Sequence, residues 1–213
     1  MAVRDYADFA RTFAGIGKAS ATRLSDGRRE IVHLTIAGAG DIPIAESSEL
    51  YRHLLEALHR FGDPQQPVRV ETRELNLLVI SARVRLLPDH LWESVEPKIR
   101  AALLDAFGFE VRDLGQDALL NEVIGKIQPV PGVSYVDVDT FGAVPEKTTE
   151  DGVRRPLSPD EIAAAITNLV QNEPLQRVRI DLAGSDGGII RPAGLAFLTP
   201  TVQDTLILKE ITA

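Results

Sequence analysis

Asn76-Leu77-Leu78-Val79-Ile80-Ser81-Ala82-Arg83-Val84-Arg85-Leu86, followed by Pro88-Asp89 and then by Trp92 to Phe109, is the stretch whose reading decides the fold. Leu78, Ile80, Ala82, Val84 and Leu86 take every second position, while Ser81, Arg83 and Arg85 make the opposite side polar. That is the period of a strand with one face on a core. Pro88 and Asp89 stop it. Trp92, Val95, Ile99, Ala102, Leu103 and Ala106 then recur at helical spacing until Gly108 offers a C-terminal stop. Ser94 is the expected N-cap, which puts Pro97 in the first turn, where a missing N–H is tolerated. No cluster of reactive side chains falls on either element. The stretch reads as a packing unit, with Ile80, Val84, Ile99 and Leu103 expected in one buried core.

Upstream, Val68, Val70 and Thr72 alternate with Arg69, Glu71 and Arg73, giving a strand that leads almost directly into the long one. Before it, Ser47 or Ser48 caps a helix in which Leu50, Leu54, Leu58 and Phe61 form a stripe widened by Tyr51 and Leu55. Gly62, Asp63 and Pro64 end that helix. Lys18 to Leu24 and Glu30 to Ile36 flank Ser25-Asp26-Gly27-Arg28, whose composition is that of a turn, so a hairpin is expected. Asp5 to Phe13 forms a short helix with Tyr6, Phe9, Ala10 and Phe13 on one side, broken by Gly15 to Gly17. The first unit is αββαβ.

Downstream, Leu119, Leu120, Val123, Ile124 and Ile127 mark another amphipathic helix, closed by Pro129 and Pro131, and Val133 to Thr140 is a strand. The second unit is then βααβ. Gly142 to Pro159 carries Lys147, Glu150, Asp151, Arg154 and Arg155 among Thr, Gly and Pro without an apolar period, and is expected to be a solvent-exposed linker. Ser158-Pro159-Asp160-Glu161 is a capping box that starts a helix presenting Ile162, Ala165, Ile166, Leu169 and Val170. Arg177 to Leu182, Leu195 to Leu198 and Thr205 to Ile211 are short strand candidates, with Gly184-Ser185-Asp186-Gly187-Gly188 as a turn. The expected class is α+β: two consecutive small α/β sandwich units, residues 1–74 and 75–143, and a linker with a helix-plus-short-strands C-terminal region, 144–213. Asp5 to Phe141 is expected to fold without the tail.

Composition removes several functions. Only 5% of the residues are aromatic and the formal net charge is −8, so the chain offers few stacking platforms and repels a phosphate backbone. Nucleic acid is not an expected partner. The absence of cysteine excludes disulfides, thiolate metal sites and a cysteine nucleophile together. Neither a signal-type N-terminus nor an 18-residue apolar run is present, which gives no sign of export or of a membrane partner and makes a cytoplasmic chain the expectation.

The candidate chemical motifs each fail at a named position. Gly15-Ile16-Gly17-Lys18 resembles a phosphate loop, but Thr12 stands where its first glycine belongs and Ala19 where Ser or Thr should follow the lysine. Gly38-Ala39-Gly40 follows a strand as a dinucleotide fingerprint would, yet Pro43 replaces the third glycine. His53, Glu56 and His59 are spaced i, i+3, i+6, which spreads them over about 120° of a helix rather than along one line of ligands. Asp137 and Asp139 share one side of a strand; they suit general acid–base work or a cation, or else the wet face of a half-buried strand. No catalytic, cofactor-binding or metal-binding residue is nominated, and no cofactor is expected.

The order of segments, taken whole, resembles the baseplate J-like family of contractile phage tails and related injection systems. The resemblance runs from Tyr6-Ala7-Asp8-Phe9-Ala10 and Gly15-Ile16-Gly17-Lys18-Ala19 through the Val32 to Ile36 strand and the Leu50 to Phe61 helix. It continues through Trp92 to Ile99, the Leu119 to Ile127 helix and Val130-Pro131-Gly132-Val133-Ser134-Tyr135-Val136-Asp137-Val138 to Arg191-Pro192-Ala193-Gly194-Leu195-Ala196-Phe197-Leu198. It implies a structural protein, not an enzyme, in the wedges of a ring that joins spike and tube to the contractile sheath. Its partners are then other wedge and hub proteins and neighbouring copies, and its place is the cytoplasm during assembly and the particle afterwards. Because the resemblance begins at about Asp5 with what looks like the middle of a longer protein, a carboxy-terminal fragment with an added Met is expected. The tail strands are expected to pair with another chain at an edge. Two other classes compete: a small α/β ligand-binding module, and an enzyme using Asp137 and Asp139.

Overall fold

The computed structural model describes residues 2–150, 153–186, 189–200, 202 and 205–212. Along the chain run α1 (Val3–Arg11), β1 (Ile16–Ser25), β2 (Glu30–Gly38), α2 (Glu49–Phe61), β3 (Val68–Thr72), β4 (Glu74–Leu86), α3 (Trp92–Phe107), β5 (Ala118–Leu119), α4 (Leu120–Ile127) and β6 (Val133–Pro145). Then come β7 (Lys147–Glu150), β8 (Val153–Pro156), α5 (Pro159–Gln171), β9 (Arg177–Val178), β10 (Gly184–Asp186), β11 (Ile189–Arg191), β12 (Gly194–Phe197) and β13 (Leu206–Glu210). The α+β class and the αββαβ opening are as the periodicities predict. The chain divides into two units, and both are discontinuous in sequence: residues 1–74, 113–116 and 180–195 form the first, and 75–112, 117–179 and 196–213 the second.

In the first unit, β1 and β2 are antiparallel and β2 and β3 parallel, so β2 is the central strand. The β1–β2 turn is held by Asp26, whose Oδ1 accepts the N–H groups of Arg28 and Arg29 at 2.9 Å each. The parallel pairing of β2 with β3 requires a crossover, and α2 supplies it. Ser48 caps α2 by accepting the Tyr51 N–H at 3.2 Å. Tyr6, Ala10, Leu54 and Leu58 of the helices meet Val32, Leu34, Ile36 and Val70 of the sheet in one apolar cluster. Tyr51 reaches across to donate its hydroxyl to the Val70 carbonyl at 2.7 Å. The other face of β2 is also buried, at Ile31, His33, Thr35 and Ala37. Its cover comes from late in the chain, where Ala193 N–H donates to Thr35 Oγ1 at 2.9 Å and Ser185 Oγ donates to the Ser25 carbonyl at 2.8 Å.

The second unit is organised on β4. β6 pairs antiparallel along one of its edges from Asn76 to Leu86, and β13 pairs parallel with Ile80 to Val84. β12 joins the same sheet through β4. Since a strand has only two edges and β6 occupies one, β12 and β13 share the other. Ile80, Val84, Ile99 and Leu103 are all fully buried, as the strand and helix periods predict.

Three expectations are corrected. The helix α3 begins at Trp92 with Leu91 rather than Ser94 as N-cap, so Pro97 lies inside it. Extended backbone at Leu91 lets its carbonyl accept both Ser94 and Val95 N–H groups, which starts the helix early. The stretch from Gly142 to Pro159 is not a linker: β6 continues to Pro145, and β7 and β8 form an antiparallel hairpin, with Asp151 and Gly152 outside the described residues. Among the described side chains of this two-stranded ribbon none is fully buried, so composition alone resembles a linker. Finally, residues 144–213 are not a separate tail. β12 and β13 complete the sheet around β4, while residues 180–195 belong to the first unit, so Asp5 to Phe141 lacks strands and covers that both units use. Periodicity reports that a strand exists; it does not report which open edge receives it. The Gly184 to Gly188 turn is a hairpin of β10 with β11, its Gly187 and Gly188 outside the described residues.

Candidate interaction surfaces

The four motifs singled out in the sequence have different surroundings. Gly15 has φ of 100°, and Gly17 lies so close to a neighbouring backbone that a Cβ there would come within 2.9 Å of Ala39 Cα. The Gly15 carbonyl accepts the Ala39 N–H at 2.9 Å, so the two glycine stretches brace each other at the start of the sheet. Asp41 closes the second stretch, held by Arg73 Nε at 2.9 Å to Oδ1 and by Arg73 Nη2 at 2.7 Å to Oδ2 in a forked, part-buried pair. His53, Glu56 and His59 all lie on the exposed side of α2, and among the described residues no three His, Asp or Glu side chains converge as a metal site would require. Asp137 and Asp139 are brought together with Arg83, which stands opposite Asp137 across the β4–β6 pair. Arg83 Nη2 donates to Asp137 Oδ2 at 2.7 Å and its Nε to Asp139 Oδ1 at 2.9 Å. The Asp139 hydrogen bond, then the charges of Asp139 and Asp137, raise the Arg83 pKa. The two carboxylates, held by one guanidinium, form an ion-paired patch on this strand face.

Two groups escaped sequence reasoning. His33 is wholly buried, its Nδ1 3.5 Å from Thr35 Oγ1 and its Nε2 3.5 Å from Glu71 Oε2. Alternation put His33 and Thr35 on one side of a strand, but nothing in the sequence marked that side as covered. Arg112 is also buried, donating to the Asp117 carbonyl, with its guanidinium 5.5 Å from the Phe107 ring centroid and a nitrogen 3.8 Å from Glu122. It anchors the start of α4 and stays inside the second unit.

What each unit offers outward is apolar surface. On the first, Phe9 packs on Phe13 and Phe61, with ring centroids 5.5 and 6.2 Å apart, and Phe61 remains 62% exposed with the Arg60 guanidinium over its ring. On the second, α5 lies on β6 through Leu169, which fills the space a Cβ at Gly142 would need. Ile162, Ala165, Ile166 and Leu169 are only half-buried and Val170 is exposed, so no residue of α5 is fully buried. The second unit also has a groove of about 420 Å³ lined by Arg100, Leu104, Leu198, Pro200, Val202 and Leu206 among others. Exposed aromatics and half-covered helix stripes are the composition of protein contacts. No described helix is long and apolar enough to cross a membrane.

Comparison with known families agrees with this reading. Residues 1–71 match the Baseplate J-like central domain, which spans α1 to β3, the contiguous part of the first unit. No curated protein matches the chain.

Proposed function

From a chain that carries a Baseplate J-like central domain over residues 1–71, and so a structural part in a phage baseplate, we propose a wedge component that links hub and spike to the contractile sheath through protein contacts. The match over the α1-to-β3 region is the observation that carries this reading. The surfaces support it: an exposed Phe61 cluster and the half-covered α5 suit partners that remain bound, such as other wedge or hub proteins and neighbouring copies in a ring. The same reading covers phage tail-like injection systems, with assembly in the cytoplasm before incorporation into the particle. No catalysis is assigned, since the carboxylates at 137 and 139 are engaged by Arg83.

Deletion of the gene, followed by negative-stain electron microscopy, tests the proposal. Tubes and sheaths without assembled baseplates are expected; intact contractile particles would contradict it. Phe61→Ser, at a position that contributes little to the core, is expected to fold normally and to lower incorporation. A second reading, a small α/β ligand-binding module, draws on the groove beside Arg100. Native mass spectrometry of the purified protein checks it, because a resident ligand would appear as a fixed mass increment.

A further inference from the structure

We propose that the outer edge of β3 pairs with the same edge of a second copy of this chain, antiparallel about a two-fold axis at Val70, so that the sheets of two first units join into one. β3 is the last strand of its sheet, in the order β1-β2-β3. Its inner edge is fixed at both ends, because the Val32 N–H donates to the Pro67 carbonyl at 2.9 Å and the Arg73 N–H donates to the Ile36 carbonyl at 2.8 Å. Successive residues of a strand turn their backbone groups to opposite edges, so positions 67, 69, 71 and 73 face β2 while Val68, Val70 and Thr72 face outward. Among the described residues nothing pairs with the N–H groups of those three. Of their carbonyls only that of Val70 is used, by the Tyr51 hydroxyl at 2.7 Å, and a carbonyl oxygen has a second lone pair to offer. An unpaired edge is a template for a further strand.

The charges on β3 select a second copy as that strand. Val68 and Val70 turn their side chains to the helix-covered core, which puts Arg69 and Glu71 on the opposite face, ion-paired to each other along the strand and with side chains 52% and 21% exposed. With Val70 opposite its own copy, Arg69 stands across from the partner's Glu71, and Glu71 across from the partner's Arg69. The neighbouring registers fail. Val68 against the partner's Val70 would set Arg69 against the partner's Arg69, and Val70 against the partner's Thr72 would set Glu71 against the partner's Glu71. Opposite charges across a strand pair stabilise it and like charges weaken it, so this edge is complementary to itself in one register. The chain as a whole carries a formal charge of −8 and copies repel, which favours contact where both signs alternate. A two-fold contact closes on itself as a pair, unlike the head-to-tail contact that builds a ring, and it stands apart from the baseplate reading. With 5 residues in β3, the contact is small and the pairing concentration-dependent.

Sedimentation equilibrium of the full chain over a concentration series, with residue-resolved amide hydrogen exchange at its dilute and concentrated ends, tests this. The mass is expected to rise from 23.2 kDa toward twice that value, and the Val68, Val70 and Thr72 amides to exchange more slowly in the concentrated protein. A chain that stays monomeric throughout overturns the proposal and leaves the edge to a strand of another protein. A pair whose β3 amides exchange alike at both ends also overturns it, by placing the contact elsewhere. Arg69→Glu sets a carboxylate against the partner's Glu71, and Glu71→Arg sets a guanidinium against the partner's Arg69, so each variant alone is expected to be monomeric. An equimolar mixture of the two restores opposite charges across the whole pair and is expected to recover the doubled mass. A mixture no heavier than its components, or an Arg69→Glu chain that pairs as well as the unaltered one, overturns the register. If Glu71→Arg does not fold, Arg69→Glu and the amide exchange of the unaltered chain decide.

Discussion

Glu161 shows how a single side chain does two jobs. Its Oε2 accepts the Ser158 N–H at 2.8 Å, completing the capping box, and both its oxygens take Arg155 nitrogens, at 2.8 and 2.7 Å. Hydrogen bonds from Arg155, then from Ser158, hold its carboxyl down to about 2 from the ordinary 4.5. A depressed folded-state pKa means stability that is fully present above pH 4.5 and is lost as pH falls toward 2. The group is exposed, so salt screens the effect. An NMR titration of the Glu161 carboxyl carbon is expected to give a midpoint well below the usual carboxylate range that rises with added salt. An ordinary midpoint would show that Arg155 does not hold it. Ser158 and Glu161 were readable as a capping box because the motif is local. Arg155 and Glu150 joined them only once β8 folded back on β7. Arg83 and Asp137 were hidden for the same reason, since their pairing depends on strand order.

At the scale of elements, β4 with α3 carries the second unit's core. Leu103 is completely buried there, as are Val95 and Ile99 from the same helix face. Leu103→Ala is expected to cost about 2–5 kcal/mol, read from denaturant melts. A loss under about 0.5 kcal/mol, the range of exposed sites, would show that this face does not bear on the core. Long amphipathic elements such as β4, α2 and α3 were legible because one side of each touches apolar neighbours over its whole length. β2 was legible as a strand, but its second buried face was not. A face covered by a residue 158 positions later carries no mark of that cover other than an ambiguous His33 and Thr35. The β7–β8 hairpin, with no fully buried side chain among those described, resembled a linker.

For the whole molecule, the chain order and the spatial order part company. The first unit takes its cover from residues 180–195, and the second takes the end of β12 from Ala196 onward and β13 from the C-terminal end. Removal of residues 144–213 is therefore expected to leave a protein that keeps helical far-UV circular dichroism but loses near-UV signal and a cooperative melt. A truncated protein with a sharp thermal transition would show that Asp5 to Phe141 is self-sufficient. The family resemblance was readable from collinear segments, and residues 1–71 match the family's central domain. The contact surfaces were not readable, because an apolar residue at helical spacing looks the same in sequence whether its own sheet covers it or a partner does. Incorporation is the property that distinguishes a baseplate part from a free module. Quantitative mass spectrometry of purified intact contractile particles measures it: this chain is expected in a fixed ratio to the other baseplate proteins, and particles that lack it would rule out a baseplate role.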